Sequence, residues 1–161
     1  EGRLSRSVRN AARQQDHLAL LFLDSDHFKQ INDTLGHAVG DEVLISVADR
    51  VRAQLREHDL VARLGGDEFA VLLTPLQSRE DAELIAEKIV ASMKLPVQLD
   101  SGRSIATSLS VGIAYYPDDG ADPASLLNAA DAAMYQAKRK RRGHWQVAQT
   151  ERSANEIKNR S

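Results

Sequence analysis

"LVARLGGDEFAVLLT", residues 60–74, decides the fold. Two apolar runs flank Gly65-Gly66 and the adjacent acids Asp67 and Glu68. Val-, Leu- and Phe-rich runs around a glycine turn predict a β-hairpin. Gly-Gly-Asp-Glu is good turn chemistry, because glycine adopts torsions that other residues resist and Asp tolerates tight bends. The same tip also presents two carboxylates at one point. It is either an ordinary polar turn or a loop shaped to hold something.

Working outward, "LALLFL" (18–23) is continuously apolar and stops at Asp24, as expected of a central strand buried on both faces. "RLSRSVRNAARQQ" (3–15) carries Leu4, Val8, Ala11 and Ala12 at helical spacing, so an N-terminal helix is expected over residues 1–16. "HFKQIND" (27–33) predicts a short helix closed near Gly36, and "GDEVLISVADRVRAQLRE" (40–57) a longer one. "SREDAELIAEKIVASMK" (78–94) opens with a Ser78-x-x-Asp81 capping box. "PVQL" and "SIATSLSVGIAYY" flank Asp100-Ser101-Gly102 as a second hairpin. "DPASLLNAADAAMYQAKRK" (122–140) reads as a helix and "HWQVA" (144–148) as a last edge strand. Strands and helices do not alternate strictly. The expected fold is therefore an α/β sandwich with a central mixed, largely antiparallel sheet flanked by helices, not a doubly wound one.

The chain has 161 residues, enough for one compact domain with a real core. No apolar run reaches the roughly 20 residues of a membrane-spanning helix, and cysteine is absent, which excludes thiolate metal sites and disulfides. A net charge of −2 argues against a general nucleic-acid binder, although "KRKRRGH" (138–144) concentrates positive charge locally.

Asp24 ends the buried strand, the usual ligand edge of an open α/β sheet. Alternatively, Asp24 and Asp26 cap the following helix. If the hairpin lies beside strand 18–23, its acids converge with Asp24 and repel one another unless hard cations neutralise them. All-oxygen sites suit Mg²⁺ or Mn²⁺, which also take substrate phosphates as ligands. Adjacent strand residues face opposite sides, so Asp67 and Glu68 share a metal only if the glycines distort the turn. Lys29 supplies positive charge nearby. Lys138 and Arg142 are expected one turn apart on the late helix, where they either meet phosphate or complement the helix dipole.

"DSDHFKQINDTLGHAVGDEVL" (24–44) together with "RLGGDEFAVLL" (63–73) resembles the GGDEF domain of diguanylate cyclases, whose fold is similar to nucleotidyl cyclase and polymerase palm domains. The likeness continues through "SVGIA" (110–114) and "ADAAMYQAKRKRRG" (130–143), covering about Ala19 to Arg142.

The resemblance implies condensation of two GTP into cyclic di-GMP with release of two pyrophosphates, across a homodimer. By similarity, Asp24, Asp67, Glu68 and the Ser25 carbonyl hold two Mg²⁺ (or Mn²⁺) per half-site. The expected catalytic residues are Asp67, Glu68 and Lys29. Phe28, Lys29, Asn32, His37, Asp41, Gly66, Lys138 and Arg142 match substrate-binding positions, with Asn32 and Asp41 reading guanine. Arg56 and Asp59 of "REHD" match the family's inhibitory product site. Arg141 stands where the family usually has glycine. The resemblance also implies a single domain over 1–161 with a polar extension at 149–161. It is expected to come from a larger protein with an upstream sensor and a further downstream domain. The domain itself is expected to be cytoplasmic, with any membrane anchor lying upstream. The competing reading is a catalytically silent module that binds GTP or cyclic di-GMP.

Overall fold

The computed structural model describes residues 2–14 and 16–149, with side chains from residue 5 onward. The run expected to be the central strand is β1, Leu18–Asp26. Leu18 to Leu23 are all at most 5% exposed because both faces of the strand are covered. Ala19, Leu21 and Leu23 enter one core with Val43, Val47, Ile85 and Ile89. Leu18, Leu20 and Phe22 enter a second with Val8, Ala11, Leu126 and Met134. The period-2 geometry of a strand thus divides one apolar run between two layers.

The first layer consists of helices α2 (Phe28–Leu35), α3 (His37–Ala53) and α4 (Arg79–Ser92). The second consists of α1 (Gly2–Gln14) and α5 (Pro123–Lys140). Between them lies a five-stranded sheet in the order β2-β3-β1-β6-β7. Its other strands are β2 (Leu60–Gly65), β3 (Glu68–Leu73), β6 (Ser108–Tyr116) and β7 (Trp145–Val147). All pairings are antiparallel except β6 with β7, so the mixed sheet expected from the sequence is present. Helix α5 presses on β6 at Gly112, where a Cβ would stand 2.0 Å from the Ala130 carbonyl oxygen.

Several boundaries differ from the expectation. β1 continues three residues past Leu23, because Asp24, Ser25 and Asp26 pair with Ser110, Leu109 and Ser108. Neither Asp24 nor Asp26 caps α2: its N-cap is His27, at φ 63° and without a side-chain cap bond. α3 begins at His37 and stops at Ala53, with Gly36 at φ 92° as the one residue between it and α2. Residues 104–116 form two strands rather than one. β5 (Ser104–Ile105) pairs with β4 (Val97–Gln98) in a separate small sheet before β6 begins. The Ser78 hydroxyl accepts from the Asp81 amide, as the capping box requires. The polar extension lies outside the described residues from 150 onward.

Candidate active site

The β2–β3 hairpin lies directly against β1. Their antiparallel register sets Asp24 opposite Glu68, and the Ser25 amide donates to the Asp67 carbonyl oxygen at 3.2 Å. The two acidic stretches are therefore neighbours. Cross-strand partners point to the same face, so Glu68 joins Asp24 and Asp26 on the α5 side of the sheet. Asp67 sits in the turn itself, directly after Gly65 at φ 154° and Gly66 at φ 50°. A Cβ on either glycine would meet nothing within 4 Å, so these glycines are required for backbone conformation rather than for space. Arg63 Nε closes the turn by donating to the Gly66 carbonyl oxygen at 2.8 Å.

The electrostatics are those of a crowded anionic site. Burial, and then the neighbouring Asp24 carboxyl, push the Asp67 pKa up to about 6. Burial, Asp24 and Asp131 raise that of Glu68. Lys138 Nζ reaches down from α5 to Asp24 Oδ2 at 2.8 Å and opposes both effects. Asp24 Oδ1 is buried and has no hydrogen-bond partner. A proton on Asp67 would give it one, and so would the charge of a cation.

Those observations test whether a divalent ion fits. The donors are all oxygen, one of them is an orphaned buried carboxylate atom, and the charge excess is negative. Mg²⁺ or Mn²⁺ fits this set. Among the described residues no group of three His, Asp or Glu forms a preassembled cage. That suits an ion taking two carboxylates from protein and its remaining ligands from water and phosphate.

The other expected site residues fall into three groups. Lys29 is exposed in the first turn of α2, and the neighbouring Phe28 is buried in the core. Asn32 turns its Oδ1 into a buried position without a partner, 1.8 Å from where a Cβ on Gly40 would lie. His37, the first residue of α3, and Asp41, one turn further on, are both exposed. Arg142 departs from the expectation: α5 ends at Lys140, so Lys138 and Arg142 do not share a helical face. They meet instead at Asp26, with Nζ 3.8 Å and Nη1 3.6 Å from its Oδ1. Arg56 and Asp59 lie at the far end of β2 from the glycine turn. There Arg56 Nη2 donates to Asp59 Oδ1 at 2.8 Å and to the Pro75 carbonyl oxygen at 3.2 Å. This pair borders a hollow of about 350 Å³ with Arg52, Leu55, Leu60 and Val61.

The family model described as "Diguanylate cyclase, GGDEF domain" matches residues 1–144. The chain belongs to the GGDEF domain family. It is 58% identical over 149 residues to the diguanylate cyclase TpbB of Pseudomonas aeruginosa, covering 92% of this chain and 34% of that protein. The chain thus spans about a third of that curated relative. Its fold matches the crystal structure of the GGDEF domain of TpbB, also called YfiN. That match has a TM-score of 0.89 at 57% identity and covers 93% of each chain. The GGDEF domain of DgcB from Caulobacter crescentus, solved in complex with c-di-GMP, matches with a TM-score of 0.82 at 30% identity, covering 92% of this chain and 88% of that one.

Sequence reasoning missed Asp26 and Arg63. Asp26 is wholly buried and accepts from the Ser108 and Ser110 hydroxyls. A signal was present: Ser108 and Ser110 put two hydroxyls on one face of an otherwise apolar strand, which requires a polar partner there. A hollow of about 620 Å³ between α5 and β7, lined by Asp119, Ala132, Lys140 and Gln146, contains none of the expected residues. Its size does not locate chemistry. The convergent carboxylates are the candidate site instead.

Proposed function

We propose that this GGDEF domain is an active diguanylate cyclase. One observation carries the reading: the ladder opposes Asp24 to Glu68 beside Asp67, under Lys138, leaving a carboxylate oxygen without a partner. In the reaction the 3′-oxygen of one GTP bonds to the α-phosphorus of the other, and the bond from that phosphorus to pyrophosphate breaks. Repetition in the opposite sense closes the ring. Each domain holds one nucleotide, so two copies must face each other.

Asp24, Asp67 and the Ser25 carbonyl would hold Mg²⁺ or Mn²⁺, two ions per half-site, with Glu68 beside them. The ions supply charge stabilisation of the attacking and leaving oxygens. Glu68 is the acceptor for the 3′-hydroxyl proton, a role that its raised pKa favours. Lys29, Lys138 and Arg142 meet the phosphates, and the unpaired first amides of α2 add donors beside Lys29. Phe28 supports that turn from the core, and Gly66 lets the phosphates approach the backbone. Asn32 and Asp41 read guanine, with His37 alongside. A carboxylate accepts from guanine N1–H and its 2-amino group together, which adenine does not offer.

Arg56 and Asp59 would take the product, cyclic di-GMP, as an inhibitor. Arg56 must then turn part of its guanidinium from Asp59 to guanine O6 and N7. An upstream sensor would set the encounter of two domains. The test is incubation of the purified chain with GTP and Mg²⁺, repeated on a dimer enforced by a fused coiled coil, with detection of cyclic di-GMP. Product that depends on Asp67 supports the reading. No product from the enforced dimer overturns it.

A further inference from the structure

The proposed steps use Asp24 and leave Asp26 idle, although Asp26 is the more deeply built of the two. Its side chain is 0% exposed. Oδ1 accepts from the Ser110 hydroxyl at 2.9 Å, and Oδ2 from the Gly143 amide at 3.0 Å and from the Ser108 hydroxyl. Lys138 and Arg142 stand within 3.8 Å of Oδ1. One carboxylate therefore joins β1, β6, the end of α5 and the segment after it.

We propose that Asp26 is a positioning residue: it fastens Lys138 and the Arg141–Gly143 segment at the mouth of the site so that both cations face an incoming triphosphate. The proposal rests on the nucleotide reading above and adds the device that readies it. Lys138 is bonded to Asp24 Oδ2 at 2.8 Å, yet Asp24 is also the carboxylate a metal ion must take. Lys138 has to yield that oxygen. With Asp26 behind it, the ammonium loses one counter-charge and keeps another. Without Asp26 it would turn into solvent, where a long lysine side chain regains rotamer freedom.

Arg142 is held differently. Its only ion pair among the described residues is the 3.6 Å contact with Asp26, and its side chain is 50% exposed. Most of its N–H groups therefore face outward, available to phosphate oxygens. The approach depends on the backbone. α5 ends at Lys140, Arg141 is extended, and Gly143 at φ 72° turns the chain into β7. A Cβ on Gly143 would stand 3.2 Å from that of Ser108, so the turn is seated on the first residue of β6. Asp26 bonds both halves of that seat, the Ser108 hydroxyl and the Gly143 amide. A buried charge is expensive unless every lone pair is used, and here each oxygen is bonded.

The test compares the purified chain with Asp26→Asn, which keeps the shape and removes the charge. The readouts are amide hydrogen exchange at Gly143 without nucleotide, Mn²⁺ binding alone, and titration with a non-hydrolysable GTP analogue plus Mg²⁺. The titration is followed through Trp145, the single tryptophan, three residues beyond Arg142. The expected result is a folded variant with faster Gly143 exchange, Mn²⁺ affinity close to wild type, and analogue affinity down about ten- to hundredfold. KM for GTP rises more than kcat falls. If Asp26→Asn does not fold, Ser110→Ala removes one donor to the same carboxylate and is expected to weaken the analogue about threefold. Wild-type exchange and analogue affinity in the folded Asp26→Asn chain overturn the positioning role while leaving the nucleotide reading intact. Failure of that reading is separately visible, since the wild-type chain then binds no triphosphate with Mg²⁺, and the inference falls with it.

Discussion

Asp24 and Glu68 are direct cross-strand partners in the β1–β3 ladder, with Asp67 bonded through its carbonyl to the next amide of β1. Like charges directly opposite one another destabilise a sheet. A chain that keeps this arrangement at the end of its best-buried strand retains strain there, as expected of the proposed active site.

That strain has a pH signature. The Asp67 pKa stands near 6 in the fold, against 3.8 for an ordinary Asp. The native state therefore binds more protons than the unfolded state between those values. Without metal, the stabilising contribution is full below about pH 4 and is lost as pH rises through 6. Asp67→Asn should flatten this part of the profile and raise neutral-pH stability by about 1 kcal/mol, discounted for its partial exposure. Saturating Mg²⁺ should weaken the wild-type dependence, because ion and proton compete. Thermal melts from pH 4.5 to 7.5, with chelator and with Mg²⁺, provide the check; identical profiles for wild type and Asp67→Asn would contradict the coupling.

Gly112→Ala should cost about 3 kcal/mol. The added methyl meets the Ala130 carbonyl oxygen at 2.0 Å and the Met134 nitrogen at 2.3 Å, all backbone, so α5 must lift from β6. Urea unfolding measures it. A loss under 1 kcal/mol would mean that the helix moves freely.

Gly40→Ala should behave differently. Its methyl would fall 1.8 Å from Asn32 Oδ1, the end of a side chain that can move aside. Stability should drop by about 1 kcal/mol or less, while GTP binding weakens more than tenfold through displacement of Asn32. Asp41→Ala should lower GTP affinity and leave ATP affinity unchanged. Calorimetric titrations with both nucleotides decide; equal losses for GTP and ATP would remove Asp41 from guanine reading.

Arg56 and Asp59 make a two-part prediction. Arg56→Ala leaves the buried Asp59 carboxylate without its guanidinium, at a cost of about 1–2 kcal/mol because Arg56 is itself 40% exposed. The same change should abolish product inhibition, so that progress curves stay linear as cyclic di-GMP accumulates. Curvature equal to wild type would leave the pair a purely structural clasp.

Much of this molecule follows from local pattern. The run Leu18–Leu23, the stripe Val43, Leu44, Val47, Val51 and the glycine hairpin each declare their element through periodicity or turn chemistry, which depend on neighbours in sequence. Ends of elements are less legible. β1 continues through Asp24-Ser25-Asp26 because β6 offers Ser108 and Ser110 across the ladder, and nothing in the polar triplet itself predicts a strand.

The sequence by itself determined which residues are acidic, which are basic and which faces must be buried, because side-chain chemistry and repeat period are local properties. Only the tertiary structure decided that Asp24 stands opposite Glu68, and that Lys138 and Arg142 meet over Asp26 though a helix end separates them. Register and the exit of α5 through Gly143 depend on contacts between residues far apart in sequence, more than a hundred positions in the case of Asp26 with Gly143. Such contacts exist only after β1, β6 and α5 have packed into one core.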